Sequence, residues 1–97
     1  MMLSFLVRTT AGYERLARRL LKGNPEFALL QERAVSILAH DPYNHTKTHH
    51  IKRLEGVRPG EGQWRLSLGR WRFRYDIRGQ DIVLQYCGLR REETYRH

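Results

Sequence analysis

The sequence predicts a small α+β domain with the element order β-α-α-β-β-β, in which a helical hairpin packs on one face of a small twisted antiparallel sheet. Two patterns carry this prediction. In the first half, apolar residues recur at helical spacing in two consecutive segments, so each helix has one buried stripe. In the second half, apolar and polar residues alternate with period two, as in strands with one buried face. We expect a single domain over residues 1–97, because this length is short even for one domain.

The N-terminal part is predicted to contain one strand and the two helices. Apolar residues alternate over residues 3–8, and Thr10 is suited to cap the helix that follows. Gly23 ends the first apolar stripe, and Asn24-Pro25 is a start signal for a second helix, with Asn as the cap and Pro at the first helical position. The second stripe continues to Asp41, where Asp-Pro ends it.

The C-terminal part is predicted to contain three strands, after a polar, histidine-rich loop over residues 42–50. These strands begin at Trp64, Trp71 and Ile82, and glycine-containing turns separate them. The third is apolar on both faces, as expected for an interior strand. The predicted core combines the apolar faces of the strands and helices: Phe5, Leu16, Leu20, Phe27, Leu30, Leu38, Trp71, Phe73 and Tyr75.

The opposite face of the second of these strands carries a row of arginines. Arg72, Arg74 and Arg78 alternate with the aromatic residues, in a chain with 18 basic and 10 acidic residues and a formal charge of +8. Like charges side by side destabilise a sheet unless anions neutralise them, so a polyanionic ligand is one interpretation. The other is a solvated face whose arginines pair with carboxylates such as Asp76, Glu61 or Glu92.

Other classes of site have weaker support in the sequence. Cys87 is the only cysteine, which excludes an intrachain disulfide or a four-cysteine zinc site and favours a cytoplasmic protein. No stretch is long enough for a membrane span, and no signal peptide is expected. Five histidines raise the question of a metal, but their spacing matches no short metal motif, so we expect no metal and no cofactor. His49 and His50 precede the Arg53 turn, which leaves a role in proton transfer open beside that of plain surface.

An ordered set of motifs resembles the RelE/ParE toxin superfamily. It comprises Arg53-Leu54-Glu55-Gly56, the hairpin from Trp64 to Ile77, and Gly88-Leu89-Arg90 followed by Tyr95-Arg96. The resemblance spans essentially the whole chain and implies a RelE-like fold. It also implies the toxin of a type II toxin-antitoxin pair, which in its RelE branch is a ribosome-dependent endoribonuclease that cleaves mRNA.

The resemblance implies roles for individual residues. In metal-free RNA cleavage the 2′-hydroxyl attacks the adjacent phosphate, and the protein stabilises the developing charge. Arg65, Arg72 and Arg90 are expected to clamp the scissile phosphate, and Tyr95 to stack on a base or to transfer a proton. Further contacts to RNA are expected from five basic residues: Lys52, Arg53, Arg70, Arg74 and Arg91.

Two positions differ from the family pattern, because Ser67 replaces a common second basic residue and Leu89 replaces a common histidine. The general acid and base are therefore unassigned. Two alternatives stay open: a ParE-like toxin that inhibits DNA gyrase by binding, and a catalytically degenerate RNA-binding relative. The expected partners are the ribosome with its mRNA and an acidic cognate antitoxin whose extended segment covers the basic face or displaces the tail; no membrane is expected.

Overall fold

The computed structural model describes residues 4–90, which form two helices and five strands. The elements are, in chain order, β1 (Leu6–Thr9), α1 (Ala11–Gly23), α2 (Phe27–His40), β2 (Ile51–Arg53), β3 (Trp64–Leu68), β4 (Trp71–Arg78) and β5 (Asp81–Leu89). Two of the expected site residues, Arg91 and Tyr95, lie outside the described residues.

The strands form one sheet in the order β1-β5-β4-β3-β2. The predicted α+β class, with helices and sheet in separate layers, is confirmed. The predicted antiparallel pairing is confirmed for β3 to β5. It does not extend to β1, which runs parallel to β5, with Leu6 opposite Asp81 and Thr9 opposite Leu84. Alternation shows which face of a strand is buried, but it does not indicate the direction of the neighbouring strand.

A fifth strand, β2, was not predicted. It has three residues and pairs antiparallel with β3, so that Ile51 faces Leu66 and Lys52 faces Arg65. Only Ile51 is partly buried, and Lys52 and Arg53 are exposed. Three residues with one apolar side chain are too few for a period-two pattern to be recognised, so pairing with β3 defines this strand.

The helices follow the predicted stripes, with one difference at their junction. The Thr10 hydroxyl caps α1 by accepting a hydrogen bond from the Tyr13 N–H at 3.0 Å, as predicted. Asn24 was expected to cap α2, but its amide donates to the Leu20 carbonyl at 3.1 Å and so closes the C-terminus of α1. The residue before α2 is Glu26, which makes no side-chain cap. Within residues 4–90, no helix is long and apolar enough to cross a membrane.

The core lies between the helices and the apolar face of the sheet. Phe27 of α2 packs against two side chains of β4, with ring centroids 5.1 Å from Trp71 and 6.0 Å from Phe73. The buried Tyr75 donates its hydroxyl proton to the Pro42 carbonyl at 2.7 Å, which ties the end of the helical hairpin to the sheet. Five residues predicted for the core are buried, namely Phe27, Leu38, Trp71, Phe73 and Tyr75, and four pack around them, namely Phe5, Leu16, Leu20 and Leu30.

Cys87 belongs to this core, as its place in an apolar strand suggested. Its side chain is 1% exposed and faces Phe73 across the β4–β5 pair. Burial raises the pKa of the Cys87 thiol to about 12. The thiol is therefore protonated at neutral pH and acts as a small apolar core group.

Candidate functional site

The polar face of the sheet carries an ordered array of side chains across β2, β3, β4 and β5. In antiparallel pairs, residues directly opposite each other lie on the same face, so the register defines two rows. The first row is Lys52, Arg65, Arg74 and Tyr86. The second is His50, Ser67, Arg72 and Gly88, with His50 placed by the hydrogen bond from the Ser67 N–H to its carbonyl at 2.9 Å. Four cationic residues thus occupy two adjacent rows.

A groove of about 530 Å³ lies over this array. Its lining residues come from the loop before β2, from β2 and β3, from the β3–β4 turn and from the start of β4: His49, His50, Ile51, Lys52, Arg65, Ser67, Gly69 and Arg72. Ser67 and Gly69 are small, so the longer cationic side chains form the walls. A groove with cationic walls suits a phosphate group, because guanidinium and ammonium groups donate charge-assisted hydrogen bonds to its oxygens.

The guanidinium of Arg72 is oriented by the turn between β3 and β4. Its Nη1 donates to the Gly69 carbonyl at 2.7 Å and to the Trp71 carbonyl at 3.0 Å. The Trp71 side chain lies on the opposite face, 2% exposed, as the alternation predicted. Two backbone carbonyls of the turn therefore help to orient the Arg72 guanidinium at one end of the groove.

Arg74 lies one row further along and is positioned by the loop before β3. Its Nε donates to the Gly62 carbonyl at 3.1 Å. Gly62 has a φ of +83°, and a Cβ at this position would clash with the Cβ of Arg74, so only glycine fits. Together with Lys52 and Arg53, Arg74 lines a second groove of about 680 Å³, which also includes the loop residues 54–57 and Glu61.

The loop before β3 is fastened to the polar face by Asp76. This carboxylate is 2% exposed and accepts four hydrogen bonds of 3.0 to 3.1 Å. The donors are the N–H groups of Gly60, Gly62 and Gln63 and the side-chain amide of Gln85. Sequence reasoning considered Asp76 as an ion-pair partner for the arginines and missed this role, because nothing local to β4 indicates which loop covers it.

Tyr86 is a further polar-face residue that sequence reasoning did not single out. A β-bulge places Arg74 opposite Tyr86 and Tyr75 opposite Leu84, which leaves Gln85 as the extra residue of β5. The Tyr86 phenol lies over Gly88, where a Cβ would clash with the ring and its hydroxyl. Because Gly88 pairs with Arg72, the phenol covers the β5 end of the second row.

Arg70 and Arg90, two further arginines of the predicted site, lie outside the first groove. Arg70 pairs with Glu26 at 2.8 Å and its guanidinium lies 5.7 Å from the centroid of the Trp71 ring. The hydrogen bond from Arg70 holds the pKa of Glu26 below its usual value. The structure therefore places Arg70 beside α2 and outside the groove. Arg90 follows β5 with an exposed side chain, and its N–H donates to the Arg70 carbonyl at 2.7 Å.

Arg53 also has an identifiable neighbour. Its guanidinium lies over the Trp64 ring, 5.6 Å from the centroid, while Trp64 stacks on the core residue Tyr75. This cation–π contact places Arg53 at the exposed edge of the sheet, beside the second groove. Of the expected site residues, the structure brings Lys52, Arg65 and Arg72 together in the first groove.

The loop that carries the histidines is ordered by Asp41 and Asn44. The Asn44 side chain donates to the His49 carbonyl at 2.9 Å and accepts from the His49 N–H at 3.1 Å. The Nε2 of His49 lies 3.8 Å from Oδ2 of Asp41. Desolvation opposes ionisation of Asp41, but hydrogen bonds from the Thr46 hydroxyl and from the N–H groups of His45 and Thr46 outweigh it and lower its pKa.

Metal ligands do not cluster in the part of the chain that the structure describes. Across residues 4–90, no group of three or more His, Cys, Asp or Glu side chains is arranged to hold a metal ion. The chemistry of the described groove is instead that of cationic hydrogen-bond donors with two histidines at one side.

Comparisons with known proteins identify the fold. No family model matches the chain, and no curated protein matches it by sequence. A chain of a solved structure is similar, namely that titled "Crystal Structure of RelB-RelE antitoxin-toxin complex from Methanococcus jannaschii". It is 13% identical, with a TM-score of 0.60 over 88% of this chain and 92% of that chain. At this identity the similarity establishes a shared α+β fold.

Proposed function

We propose that this protein is the toxin of a toxin-antitoxin pair and cleaves mRNA at the ribosome without a metal ion. The observation that carries the proposal is the groove in which Lys52, Arg65 and Arg72 converge on one face of the sheet. The fold shared with a chain of a RelB-RelE complex supports the same class.

The charge distribution favours a polyanionic ligand. Lys52 lies opposite Arg65, which lies opposite Arg74, so three cationic positions follow one another across three strands. Directly opposed like charges destabilise a sheet, and a phosphate backbone would relieve that repulsion while releasing its own counterions. A net charge of +8 adds long-range attraction to RNA and ribosome.

The proposed chemistry is attack of the RNA 2′-hydroxyl on the adjacent phosphate. Arg65 and Arg72 stabilise the charge that develops on the phosphate oxygens, and the backbone contacts of Arg72 hold its guanidinium in place beforehand. In this proposal Arg90 supplies a further cation from beyond β5, and Tyr95 a ring or hydroxyl from the tail. Lys52, Arg53, Arg74 and Arg91 contact neighbouring phosphates.

Induction in a bacterium, followed by mapping of RNA 5′ ends, tests this function. We expect cuts inside translated messages with the wild type, and a loss of about 10²–10³-fold in cleavage with Arg72→Ala, the usual cost of removing one stabilising donor. Arg18→Ala, which removes an exposed arginine from α1, is the matched control and should cleave like the wild type.

The same experiment separates the alternatives. The observation for the binding-only alternatives is Ser67, which lines the groove and supplies no charge where the RelE-like pattern has a second basic residue. A DNA-damage response with intact messages would indicate a gyrase-inhibiting toxin. Ribosome or RNA binding without cleavage would indicate a degenerate relative.

The proposed partner is an acidic antitoxin that covers the basic face bearing Arg65, Arg72 and Arg74 or displaces the tail with Arg90 and Tyr95. Co-expression with the neighbouring reading frame should give a stable complex, and its affinity should fall as salt rises, because exposed ion pairs are screened. Apolar anchors should preserve part of the affinity. A complex whose affinity does not change with salt concentration, or the absence of a complex with an acidic neighbour, would contradict the toxin assignment.

A further inference from the structure

We propose that His50 is the general base of this reaction and accepts the proton of the attacking 2′-hydroxyl. The inference rests on the proposed ribonuclease function and assigns the residue that the sequence left open. His50 immediately precedes β2, and its carbonyl accepts the Ser67 N–H at 2.9 Å. This bond continues the β2–β3 ladder by one residue and places His50 in the same row as Ser67 and Arg72.

The groove needs a proton acceptor that its cations cannot provide. Arg65 and Arg72 are donors only, and the ammonium group of Lys52 has no lone pair. Among the described residues lining the groove, the side chains with acceptor lone pairs are His49, His50 and Ser67. A serine hydroxyl is a very weak base, whereas a neutral imidazole accepts a proton readily near neutral pH.

Of the two histidines, His50 is the one that belongs to the array. The ring of His49 is directed towards the Asp41 carboxylate, with Nε2 at 3.8 Å from Oδ2, and its backbone is tied to Asn44. His50 is exposed, and the strand register assigns it to the polar face. The ordered loop that holds His49 therefore determines where His50 enters the sheet.

The row geometry leaves space for a phosphodiester between the proposed base and the fixed cation. Neighbouring strands are about 4.8 Å apart, so the backbones at His50 and Arg72 are roughly 10 Å apart across Ser67. The small Ser67 side chain forms the floor between them. A phosphate seated there would meet the Arg72 guanidinium on one side and His50 on the other.

The charged and titratable groups around His50 come from four elements. His49 and, behind it, Asp41 belong to the preceding loop, Lys52 to β2, Arg65 to β3 and Arg72 to β4. The cations among them bind the phosphate oxygens and stabilise the leaving oxygen, which leaves the proton of the 2′-hydroxyl to the imidazole.

In the proposed step one bond from oxygen to phosphorus forms and another breaks. A neutral imidazole nitrogen of His50 takes the 2′-hydroxyl proton while the 2′-oxygen forms a bond to phosphorus. The bond between phosphorus and the 5′-oxygen breaks, and the leaving oxygen keeps the electron pair and takes a proton from water. The resulting hydroxide removes the proton from His50. The products are a 2′,3′-cyclic phosphate and a 5′-hydroxyl end.

Single-turnover cleavage of a ribosome-bound message by the full-length protein tests this assignment. His50→Gln should lower the rate by about 10²–10⁴-fold, the usual contribution of a general base, while co-sedimentation with ribosomes stays unchanged. The acidic limb of the pH–rate profile, which protonation of a base produces, should disappear in this variant. Added imidazole should partly restore cleavage by His50→Ala. His40→Gln removes an exposed histidine at the end of α2 and should leave rate and profile unchanged.

The outcomes distinguish this inference from the function on which it rests. If the wild type cleaves and His50→Gln cleaves equally fast, the assignment of His50 as the general base is wrong and the proposed function stands. If His49→Gln loses the acidic limb instead, or His50→Gln loses ribosome binding together with cleavage, the assignment to His50 is overturned. If the wild type does not cleave translated messages at all, the proposed function fails and the assignment fails with it.

Discussion

Replacing Asp76 with asparagine tests how the polar face is organised. In the native protein Oδ2 accepts hydrogen bonds from Gly60, Gly62 and Gln85, and Oδ1 accepts one from the Gln63 N–H. An asparagine can place its oxygen at the Oδ2 position, but its NH₂ group then faces the Gln63 N–H, donor against donor. One hydrogen bond to a charged acceptor is lost, and the other three lose their charge assistance.

The expected loss of stability follows from these contacts. A hydrogen bond to a charged group contributes about 1.5–3 kcal/mol. Asp76→Asn should therefore reduce the free energy of unfolding by at least the lower of these values, about 1.5 kcal/mol. For a domain of this size, 1 kcal/mol corresponds to about 4–8 °C, which gives a fall in melting temperature of roughly 6 °C or more. Burial makes the effect large, since Asp76 is only 2% exposed.

Thermal unfolding followed by circular dichroism measures the melting temperature. Amide hydrogen exchange of Gly62 and Gln63 measures whether the loop stays fastened to the sheet. Asp81→Asn is the matched control, because it makes the same change in charge at a carboxylate that is 40% exposed and pairs with Arg8 at 3.3 Å. Exposed pairs contribute about 0–1 kcal/mol, so the control should melt near the wild type. If Asp76→Asn melted with the control and kept its amide protection, Asp76 would not fasten the loop.

Two further predictions concern the core and the histidine loop. Phe73→Ala should cost about 3–5 kcal/mol, because the ring is fully buried against Phe27, and urea titration of both proteins measures the difference. The lowered pKa of Asp41 means that its ionised form stabilises the fold above the ordinary carboxyl pKa, and that this contribution disappears as the pH falls through the lowered value. The stability advantage of wild type over Asp41→Asn should therefore be present at neutral pH and vanish in strong acid, as melting temperatures across that range will show.

The local patterns of the sequence determined the layers of this protein. Alternation in β4 predicts that Trp71 and Arg72 lie on opposite faces, because consecutive side chains of a strand point to opposite faces. In the structure Trp71 is buried and Arg72 lines the groove. The apolar stripe of α1 and its Thr10 cap could also be predicted from the sequence, because helix periodicity and capping depend on residues within a few positions of each other. The predicted arginine face and the buried aromatic face both follow from these short-range rules.

Contacts between distant residues were decided by the tertiary structure alone. Tyr75 donates its hydroxyl proton to the Pro42 carbonyl, 33 residues away, and nothing near Tyr75 in the sequence indicates this partner. Arg70 shares the alternation of the arginine row, yet it lies at the turn and pairs with Glu26, 44 residues away in the sequence. Which partner such a residue contacts depends on interactions with residues that only folding brings near it. A local sequence pattern therefore cannot predict the contact.

The candidate site shows the same division. The sequence identified Lys52, Arg65 and Arg72 as basic residues suited to phosphate, because their chemistry is intrinsic to the side chains. Their convergence depends on the registers of β2, β3 and β4, and the three-residue β2 is too short to be recognised before it pairs. That same pairing brings His50 into the row with Arg72. Strand register is set by the packing of whole faces and by the loops between strands, and for this reason only the tertiary structure could establish the groove.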